Sequence, residues 1–511
     1  MKTTGAWPAA EGSVQENADD VGADKPDCSD VPEYGVGESS TGAVPQELLT
    51  VRSKDPIPLA EHYIQHCATD ADDRITLRRW NEEFWRQRDD GACYRPLSQE
   101  QVSAEVYSLL DRTICESVDD EGNTRQVPIR PKSSVVKETS LALPSRGILV
   151  DGEAPQWLDG DKTHPPAKEI TAAANGLLHL PTRRLYPPTP IFFGTTALSF
   201  AYDAAAPPPV KWLAFMNSIW PDDAQCQETL QELFGYVLVP DTRQQKIFLL
   251  VGPKRSGKGT IARVLTALLG QENVCSPTLA SMGLNFGLQP LLEKPVAIIS
   301  DARLSGRADQ AAIGERLLSI SGGDAVTIDR KHVSAVTKYL PTRFIVMTNE
   351  LPRLADASGA LASRFVVMTM TNSFYGKEDL DLSNRLMGEL PSILNWAIDG
   401  WDRLTARGRF MQPESSGQAV QELEDLSSPV AAFVRDRCEI GPEHQVSVDC
   451  LFREWELWCD DAGRDYPGTK STFGRDLRAV LPQLKVSQPR MGNERQRVYQ
   501  GIAVGTGSGT G

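Results

Sequence analysis

Four short apolar runs stand out in the pattern of hydrophobic and polar positions after residue 240. Each run is rich in Val, Ile or Leu and is separated from the next by stretches with helical spacing. Continuous apolar runs of this length are typical of strands in a parallel sheet whose two faces are both buried. We therefore predict an α/β core over about 241–375, closed by a helical stretch over 382–404. The runs are KIFLLVG (246–252), KPVAIIS (294–300), TRFIVMT (342–348) and RFVVMTM (364–370).

Upstream of this core, the pattern predicts a small folded region followed by helices. Residues 57–115 carry aromatic residues and helical spacing, and Ser98 and Gln101 are placed as a capping box at a helix start. Residues 175–190 predict short strands and turns, because Gly and Pro break the pattern there. The stretch 212–236 predicts an amphipathic helix interrupted by one turn.

Downstream of the core, a polar stretch over 411–427 predicts a linker, and residues 428–505 predict one further folded unit. Helical spacing runs from 430 to 458, a second helix follows over 471–481, and two strands flank a basic loop near the end. The Gly- and Ser-rich last residues are typical of a flexible tail.

Composition matches an ordinary soluble protein of 511 residues, long enough for several domains. The formal charge of -15 argues against a surface coated in basic residues, although much of the acid lies in the first fifty residues. That segment predicts a disordered acidic tail. No run approaches the roughly 18 apolar residues of a membrane span, and the N-terminus lacks a secretory pattern, so we expect a cytoplasmic protein without a membrane partner. The nine cysteines form no C-x-x-C pair, which gives no sign of a zinc ribbon or disulfide framework.

A glycine-rich loop follows the first apolar run and precedes a helical stretch, which is the context that a phosphate-binding loop requires. Backbone N–H groups at such a helix start point at phosphates, and Lys258 adds a point charge. The usual hydroxyl after the lysine is displaced here to Thr260. The same ending occurs in nucleoside monophosphate kinases, so the loop alone leaves a kinase open. The predicted ATP-binding residues are Gly252, Pro253, Lys254, Arg255, Ser256, Gly257, Lys258, Gly259 and Thr260.

Three further polar residues adjoin the later strands. Asp301 follows the second run and can hold Mg²⁺ or orient water, with Thr260 as a second metal ligand. Asn349 follows the third run and can orient a water against the γ-phosphate, although Asn is also a common turn former. Arg364 opens the fourth run, just before its strand, where it is placed to act as an arginine finger on a neighbouring subunit. We predict Lys258, Asp301, Asn349 and Arg364 as the catalytic set.

In this order the motifs GPKRSGKGT, AIISD, GGDAVTIDRKH, FIVMTN and ASRF resemble the superfamily 3 helicases. These are AAA+ motors, and the likeness is strongest to the C-terminal part of the phage and plasmid primase-helicase family. The resemblance covers roughly 170–405, and it departs from the family at Thr260 and at Ser300, where a first acid is missing.

The resemblance implies an ATP- and Mg²⁺-dependent DNA helicase, working as a ring, expected to be a hexamer, in the 3′-to-5′ direction. It also implies that a β-hairpin carries Lys331 and His332 toward DNA, and Arg330 adjoins them. Such contacts to phosphates carry no sequence information, as tracking along any DNA requires. An exposed basic hairpin without DNA contact is the alternative.

The last unit resembles a winged helix-turn-helix, whose second helix enters the major groove. Lys470, Arg475 and Arg478, together with Arg490 and Arg495, are the predicted phosphate contacts to double-stranded DNA. A packing domain with ordinary solvated charges is the alternative for this unit.

The predicted fold class is α/β, with an AAA+-type P-loop core built on a parallel sheet, a helical leader domain and a C-terminal winged helix. A primase half is expected to be absent or encoded separately, because residues 1–170 lack a zinc pattern and a cluster of metal-binding acids. An origin-binding initiator that uses ATP without processive unwinding remains an alternative function. The predicted segments are an acidic tail (1–50), a small N-terminal region (51–150), a helical leader (151–240), the ATPase core (241–410) and the winged helix (428–505).

Overall fold

The computed structural model describes residues 48–505, except 119–123, 301, 303–308, 332, 353, 355–358, 465 and 492–493. The described residues from 49 onward belong to one compact unit. The predicted acidic tail lies outside the described residues except for 48–50. Asp301 and His332 also lie outside them. Across the described residues, no helix is both long enough and apolar enough to cross a bilayer.

The N-terminal region packs helices against small sheets around a core of its own. Its elements are β1 (Leu49–Val51), α1 (Pro56–Cys67), β2 (Leu77–Trp80), β3 (Glu83–Gln87), β4 (Tyr94–Leu97), α2 (Gln99–Asp111), β5 (Thr113–Val118), β6 (Thr124–Pro128) and α3 (Ser133–Ala142). The predicted capping box is confirmed at the start of α2. The Ser98 hydroxyl accepts from the Gln101 amide at 3.2 Å, and the Gln101 side chain accepts from the Ser98 amide at 2.8 Å. Two otherwise unpaired N–H groups are thereby satisfied.

The segment 151–240 is helical only toward its end, which differs from the predicted helical leader. The strands and turns predicted over 175–190 are confirmed, but strands occur over the wider range 156–193. Prolines such as Pro187 and Pro188 exclude a helix there, because they lack the amide donor. The elements are β7 (Gln156–Trp157), β8 (Ile170–Ala173), β9 (Gly176–His179), β10 (Arg184–Tyr186), β11 (Phe192–Phe193), α4 (Val210–Ile219) and α5 (Ala224–Tyr236).

The central region contains the predicted parallel sheet. Its elements are β12 (Ile247–Val251), α6 (Lys258–Leu269), β13 (Val274–Cys275), α7 (Leu279–Met282), β14 (Val296–Ile299), α8 (Gln310–Gly322), β15 (Ala325–Arg330), β16 (Val333–Tyr339), β17 (Arg343–Thr348), α9 (Ala360–Arg364), β18 (Phe365–Thr369), α10 (Leu382–Met387) and α11 (Leu390–Arg407). The strand order is β13-β14-β17-β12-β18, and every pairing in this sheet is parallel. The strand that precedes the glycine-rich loop therefore lies between the strand that ends before Asn349 and the strand that follows Arg364.

Helices cover both faces of this sheet, as its continuous apolar strands predict. Successive residues of a strand point to opposite faces. Phe248 and Leu250 of β12 accordingly pack with α4, α5, α6 and α11, whereas Ile247 and Leu249 pack with α7 and α8. The core of the central region is thus split by the sheet into two apolar layers.

The C-terminal unit combines helices with a small antiparallel sheet in the order β19-β23-β20. The strand over Cys438–Ser447 was not predicted, because Gly441 and Pro442 interrupt its alternation and its pairing partner lies far along the chain. The helix and the strands predicted after residue 470 are present. The elements are α12 (Gly417–Ser427), α13 (Pro429–Arg437), β19 (Cys438–Ser447), α14 (Val448–Asp461), α15 (Lys470–Val480), β20 (Lys485–Ser487), β21 (Arg490–Met491), β22 (Glu494–Arg495) and β23 (Val498–Val504).

The predicted polar linker over 411–427 is wrong for most of its length, because α12 occupies it. Leu423 of this helix is buried, and Ala419 and Val420 pack beside it against one face of the central sheet. These apolar residues follow helical spacing, so a largely polar helix still docks on the core by one narrow face. The C-terminal unit therefore follows the core through a helix instead of a linker.

A buried carboxylate joins α5 to α11. Glu232 is 1% exposed and accepts from Arg403 Nε at 2.8 Å and from the guanidinium of Arg407. The two helices approach closely here, because a Cβ at Gly235 would lie 2.3 Å from the carbonyl oxygen of Ala397. Both carboxylate oxygens are thus satisfied inside a helix pair that covers one face of the sheet.

We expect Glu232→Ala to destabilise the protein strongly. Two guanidinium groups, 33% and 28% exposed, would lose their buried partner, and hydrogen bonds to charged groups contribute about 1.5–3 kcal/mol. Urea unfolding followed by tryptophan fluorescence measures the loss. Glu61→Ala is the matched control, because Glu61 pairs with Arg146 at 2.6 Å but is 58% exposed, and such surface pairs contribute about 0–1 kcal/mol. Equal losses in the two variants would contradict the structural role of Glu232.

Candidate nucleotide-binding site

The glycine-rich loop connects β12 to α6 at the carboxyl edge of the parallel sheet. Gly252 lies so close to the end of β18 that a Cβ would lie 2.6 Å from the carbonyl oxygen of Met370, the residue that follows this strand. Gly257 has a φ of 101°, a left-handed conformation that favours glycine, and it directly precedes the helix. The loop therefore turns sharply and delivers Lys258 as the first residue of α6.

The ammonium group of Lys258 lies at the centre of this loop. Its Nζ donates to the carbonyl oxygens of Gly252 at 2.6 Å and Pro253 at 2.9 Å. It also donates to Ser256 Oγ at 3.1 Å and to Asn349 Oδ1 at 3.2 Å. Partial burial lowers the pKa of Lys258. The charge is thus surrounded by neutral acceptors, and an anion at this place would replace them with a stronger partner.

A cavity of about 900 Å³ opens onto the loop. One wall comes from α4 and another from residues 374–385, which follow β18. Two of its arginines are paired with acids, Arg255 with Glu378 at 3.3 Å and Arg385 with Asp379. Basic residues outnumber acidic ones in the lining: Lys211, Lys254, Arg255, Lys258, Arg263, Lys377 and Arg385 against Glu378 and Asp379. The cavity is suited to an anionic ligand of nucleotide size.

The structure brings most of the predicted loop residues and Asn349 together in this cavity. The Thr260 hydroxyl also lines it, where it accepts from Arg263 Nη2 at 3.1 Å. Asp301 lies outside the described residues, but its neighbour Ser300 directly follows β14. Since β14 pairs with β17 in parallel, Ser300 and Asn349 follow neighbouring strands at the same sheet edge.

Arg364 lies at the opposite edge of the sheet. It directly precedes β18, whose first residue, Phe365, pairs with Ile247 at the start of β12. Its Nη1 is 3.5 Å from Ser321 Oγ, and it lines a separate groove of about 750 Å³ together with Arg475. Arg364 and Lys258 of one chain therefore do not share a site.

The basic turn at 330–331 is the tip of an antiparallel hairpin made by β15 and β16, as predicted. Ile328 is fully buried and fixes the hairpin to the core, whereas Lys331 is exposed. The backbone amide of Lys331 donates to Gln289 Oε1 at 3.1 Å, and Arg330 Nε donates to the Ser334 carbonyl at 2.9 Å. The tip is held in place while the Lys331 side chain stays accessible.

The three predicted basic residues of α15 differ in their surroundings. Lys470 pairs with Asp449, and Arg475 pairs with the adjacent Asp476 at 2.9 Å. Arg478 is exposed on the same helix. Arg475 also lines the groove beside Arg364, so it faces the core as well as solvent.

Sequence reasoning missed the walls of the cavity. Lys211 and Phe215 on α4, and Phe374 and Leu382 after β18, belong to segments that carry no motif. Phe374 and Leu382 could have been found from the sequence, because they follow β18, the neighbour of β12. Residues that follow neighbouring strands of a parallel sheet meet at the same edge. Arg263 was missed as well, although it lies one helical turn after Thr260.

We expect two glycines of the loop to respond differently to substitution by alanine. Gly252→Ala places a Cβ 2.6 Å from a backbone oxygen, and such overpacking costs about 1–3 kcal/mol. At Gly259 a Cβ would meet nothing closer than Arg263 Nη1 at 3.5 Å, so Gly259→Ala is expected to stabilise α6 by about 0.5–1 kcal/mol. Urea unfolding of both variants tests the contrast, and a similar loss at both positions would contradict it.

Comparison with known proteins adds a family match and a fold. The model of DUF5906, a family of unknown function, matches residues 250–364. The apo structure of NrS-1 C terminal region (305-718) is 11% identical with a TM-score of 0.50, and covers 88% of this chain and 100% of that chain. Two A form apo structures of the same region give TM-scores of 0.45 and 0.44 at 13% identity, with 88% and 89% of this chain and 100% of those chains covered. At such identities the first of these likenesses concerns the fold alone, and it extends well beyond the segment that the family model matches.

Proposed function

We propose that this protein is an ATP-dependent DNA helicase that acts in the replication of a phage, prophage or plasmid. The observation that carries the proposal is the position of Lys258, held with Asn349 at the base of a large basic cavity. A helix start, inward backbone amides and a lysine form the arrangement that binds the phosphates of ATP. A primase encoded separately would be a natural partner of such a motor.

The reaction at this site is the transfer of the γ-phosphoryl group of ATP to water, which gives ADP and phosphate. Lys258 binds the phosphates, and Asn349 orients the attacking water. Hydroxyl and carboxylate oxygens are ligands that suit Mg²⁺, and Thr260 with Asp301 would hold it. The bound Mg²⁺ would neutralise phosphate oxygens. The residue before Asp301 is Ser300 and not a second acid, so the set of metal ligands is small.

Arg364 acts on the ATP of a neighbouring subunit in this proposal. Its place at the amino edge of the sheet supports that role, because it cannot approach the loop of its own chain. A head-to-tail contact that closes on itself forms a ring. The AAA+ assignment, the hexamer and the 3′-to-5′ direction rest on the resemblance to superfamily 3 helicases.

The hairpin formed by β15 and β16 is proposed to hold single-stranded DNA. Arg330 and Lys331 would contact phosphates at its tip, and His332 completes the predicted set. Burial of Ile328 supports this role, since a hairpin fixed to the core can follow movements of the ATPase. The C-terminal unit is proposed to be a winged helix on double-stranded DNA. There the acidic partners of Lys470 and Arg475 leave Arg478 as the phosphate contact that α15 offers.

We expect Lys258→Ala and Arg364→Ala each to lower ATP hydrolysis by about 10³-fold or more, the scale of an arginine finger. Arg364→Ala should still bind ATP, because Arg364 lies away from the loop. A random equal mixture of the two variants should regain about a quarter of the wild-type rate, since a quarter of head-to-tail contacts would join an intact loop to an intact arginine. The measurement is phosphate release with single-stranded DNA present.

The mixture is the decisive arm of this experiment. Activity that stays at the level of the separate variants would contradict a shared site. Strand displacement by the wild type distinguishes the helicase from an initiator that hydrolyses ATP without unwinding DNA.

We expect the paired substitution Arg330→Ala and Lys331→Ala to weaken DNA binding without a preference for sequence. Loss of two phosphate contacts makes the negative slope of log affinity against log salt less steep, by about 1.4 for single strands. A salt titration with fluorescent oligonucleotides measures the slope. The paired substitution Arg52→Ala and Lys54→Ala, at two exposed positions of the N-terminal region, is the charge-matched control. An unchanged slope in the paired variant would remove the hairpin from the DNA interface.

A further inference from the structure

No side chain occupies the position after Lys258 in this protein. A phosphate-binding loop ordinarily carries Ser or Thr there, but Gly259 has no side chain. Space does not require a glycine, because a Cβ would have Arg263 Nη1, at 3.5 Å, as its nearest neighbour. A guanidinium group thus lies beside the place where a hydroxyl would otherwise be.

Two hydroxyl groups hold this guanidinium at the cavity. Arg263 Nη2 donates to Thr260 Oγ1 at 3.1 Å, and Nε donates to Ser383 Oγ at 3.1 Å. A guanidinium has five N–H donors, so others remain available. Its two partners come from different walls of the cavity, α6 and α10, and this fixes its orientation.

The charge of Arg263 is not neutralised by a carboxylate within the described part of the chain. This distinguishes it from Arg255 and Arg385 in the same cavity, which pair with Glu378 and Asp379. A planar guanidinium recognises phosphate by parallel N–H donors. Arg263 therefore combines a held position, an unneutralised charge and access to the loop.

We infer that Arg263 binds the phosphate chain of the nucleotide through the opening that Gly259 leaves beside Lys258. Thr260 then acts as a positioning residue for the guanidinium, in place of the metal-ligand role given to its hydroxyl above. This inference rests on the proposed function, since it concerns the same ATP site. The guanidinium would add a second positive charge beside Lys258.

Isothermal titration of the full-length chain with ATP, and separately with inorganic tripolyphosphate, tests this inference. EDTA is present throughout, so neither metal binding nor hydrolysis affects the result. Arg263→Gln should weaken both ligands by about 10- to 100-fold, the scale of hydrogen bonds to a charged group. Arg263→Lys should fall between, because it keeps the charge and loses the planar donors.

Ser383→Ala separates phosphate binding from a structural bridge. It removes the bond between α6 and α10 but leaves the guanidinium and its bond to Thr260. A loss of less than about 3-fold in this variant, which keeps the charge, supports the inference. Equal losses in Ser383→Ala and Arg263→Gln would overturn it in favour of the bridge.

The outcomes also separate this inference from the proposed function. If the wild type binds ATP, Lys258→Ala loses binding and Arg263→Gln binds like the wild type, the inference alone fails. If the folded wild type binds neither ATP nor tripolyphosphate, the proposed function fails with it. Unchanged thermal unfolding of Arg263→Gln shows that a loss of binding is not a loss of fold.

Discussion

The common direction of the strands in the central sheet decides which side chains can share a site. In a parallel sheet all carboxyl ends meet at one edge, so the glycine-rich loop, Ser300 and Asn349 lie together there. The same constraint places Arg364 at the other edge, where it precedes β18. The catalytic role proposed for Arg364 therefore requires another copy that presents its own loop.

Within the loop, the charge of Lys258 determines the local structure. An ammonium withdrawn from water needs hydrogen-bond acceptors, and the loop supplies its own carbonyl oxygens and the amide of Asn349. The charged oxygens of a phosphate can replace these neutral acceptors, while the lysine stays near the same place. The bond to Asn349 also ties the lysine to a neighbouring strand. The residue proposed to orient water therefore contacts the residue proposed to bind phosphate.

Local patterns predicted much of the fold and the centre of the site. The apolar runs gave four strands of the sheet, and Ser98 with Gln101 marked a helix start, because both depend on neighbouring residues. Features that depend on distant partners were missed. β19 is held by β23, α12 docks through one narrow face around Leu423, and Arg263 acquires its meaning from Ser383 on another helix. Asp301 and His332 remain predictions, since they lie outside the described residues.

The helices before the loop form part of the candidate nucleotide site. Lys211 and Phe215 of α4 line the cavity, and the start of α4 is capped from far along the chain. The Glu389 carboxylate accepts from the Lys211 and Trp212 amides at 3.1 and 3.0 Å. Glu389 directly precedes α11, which is tied to α5 by the buried Glu232. A carboxylate at a helix start also favours that helix through its dipole. The wall of the cavity thus depends on segments that precede the sheet strands in the chain and on segments that follow them. A domain boundary at residue 241 would therefore divide the site.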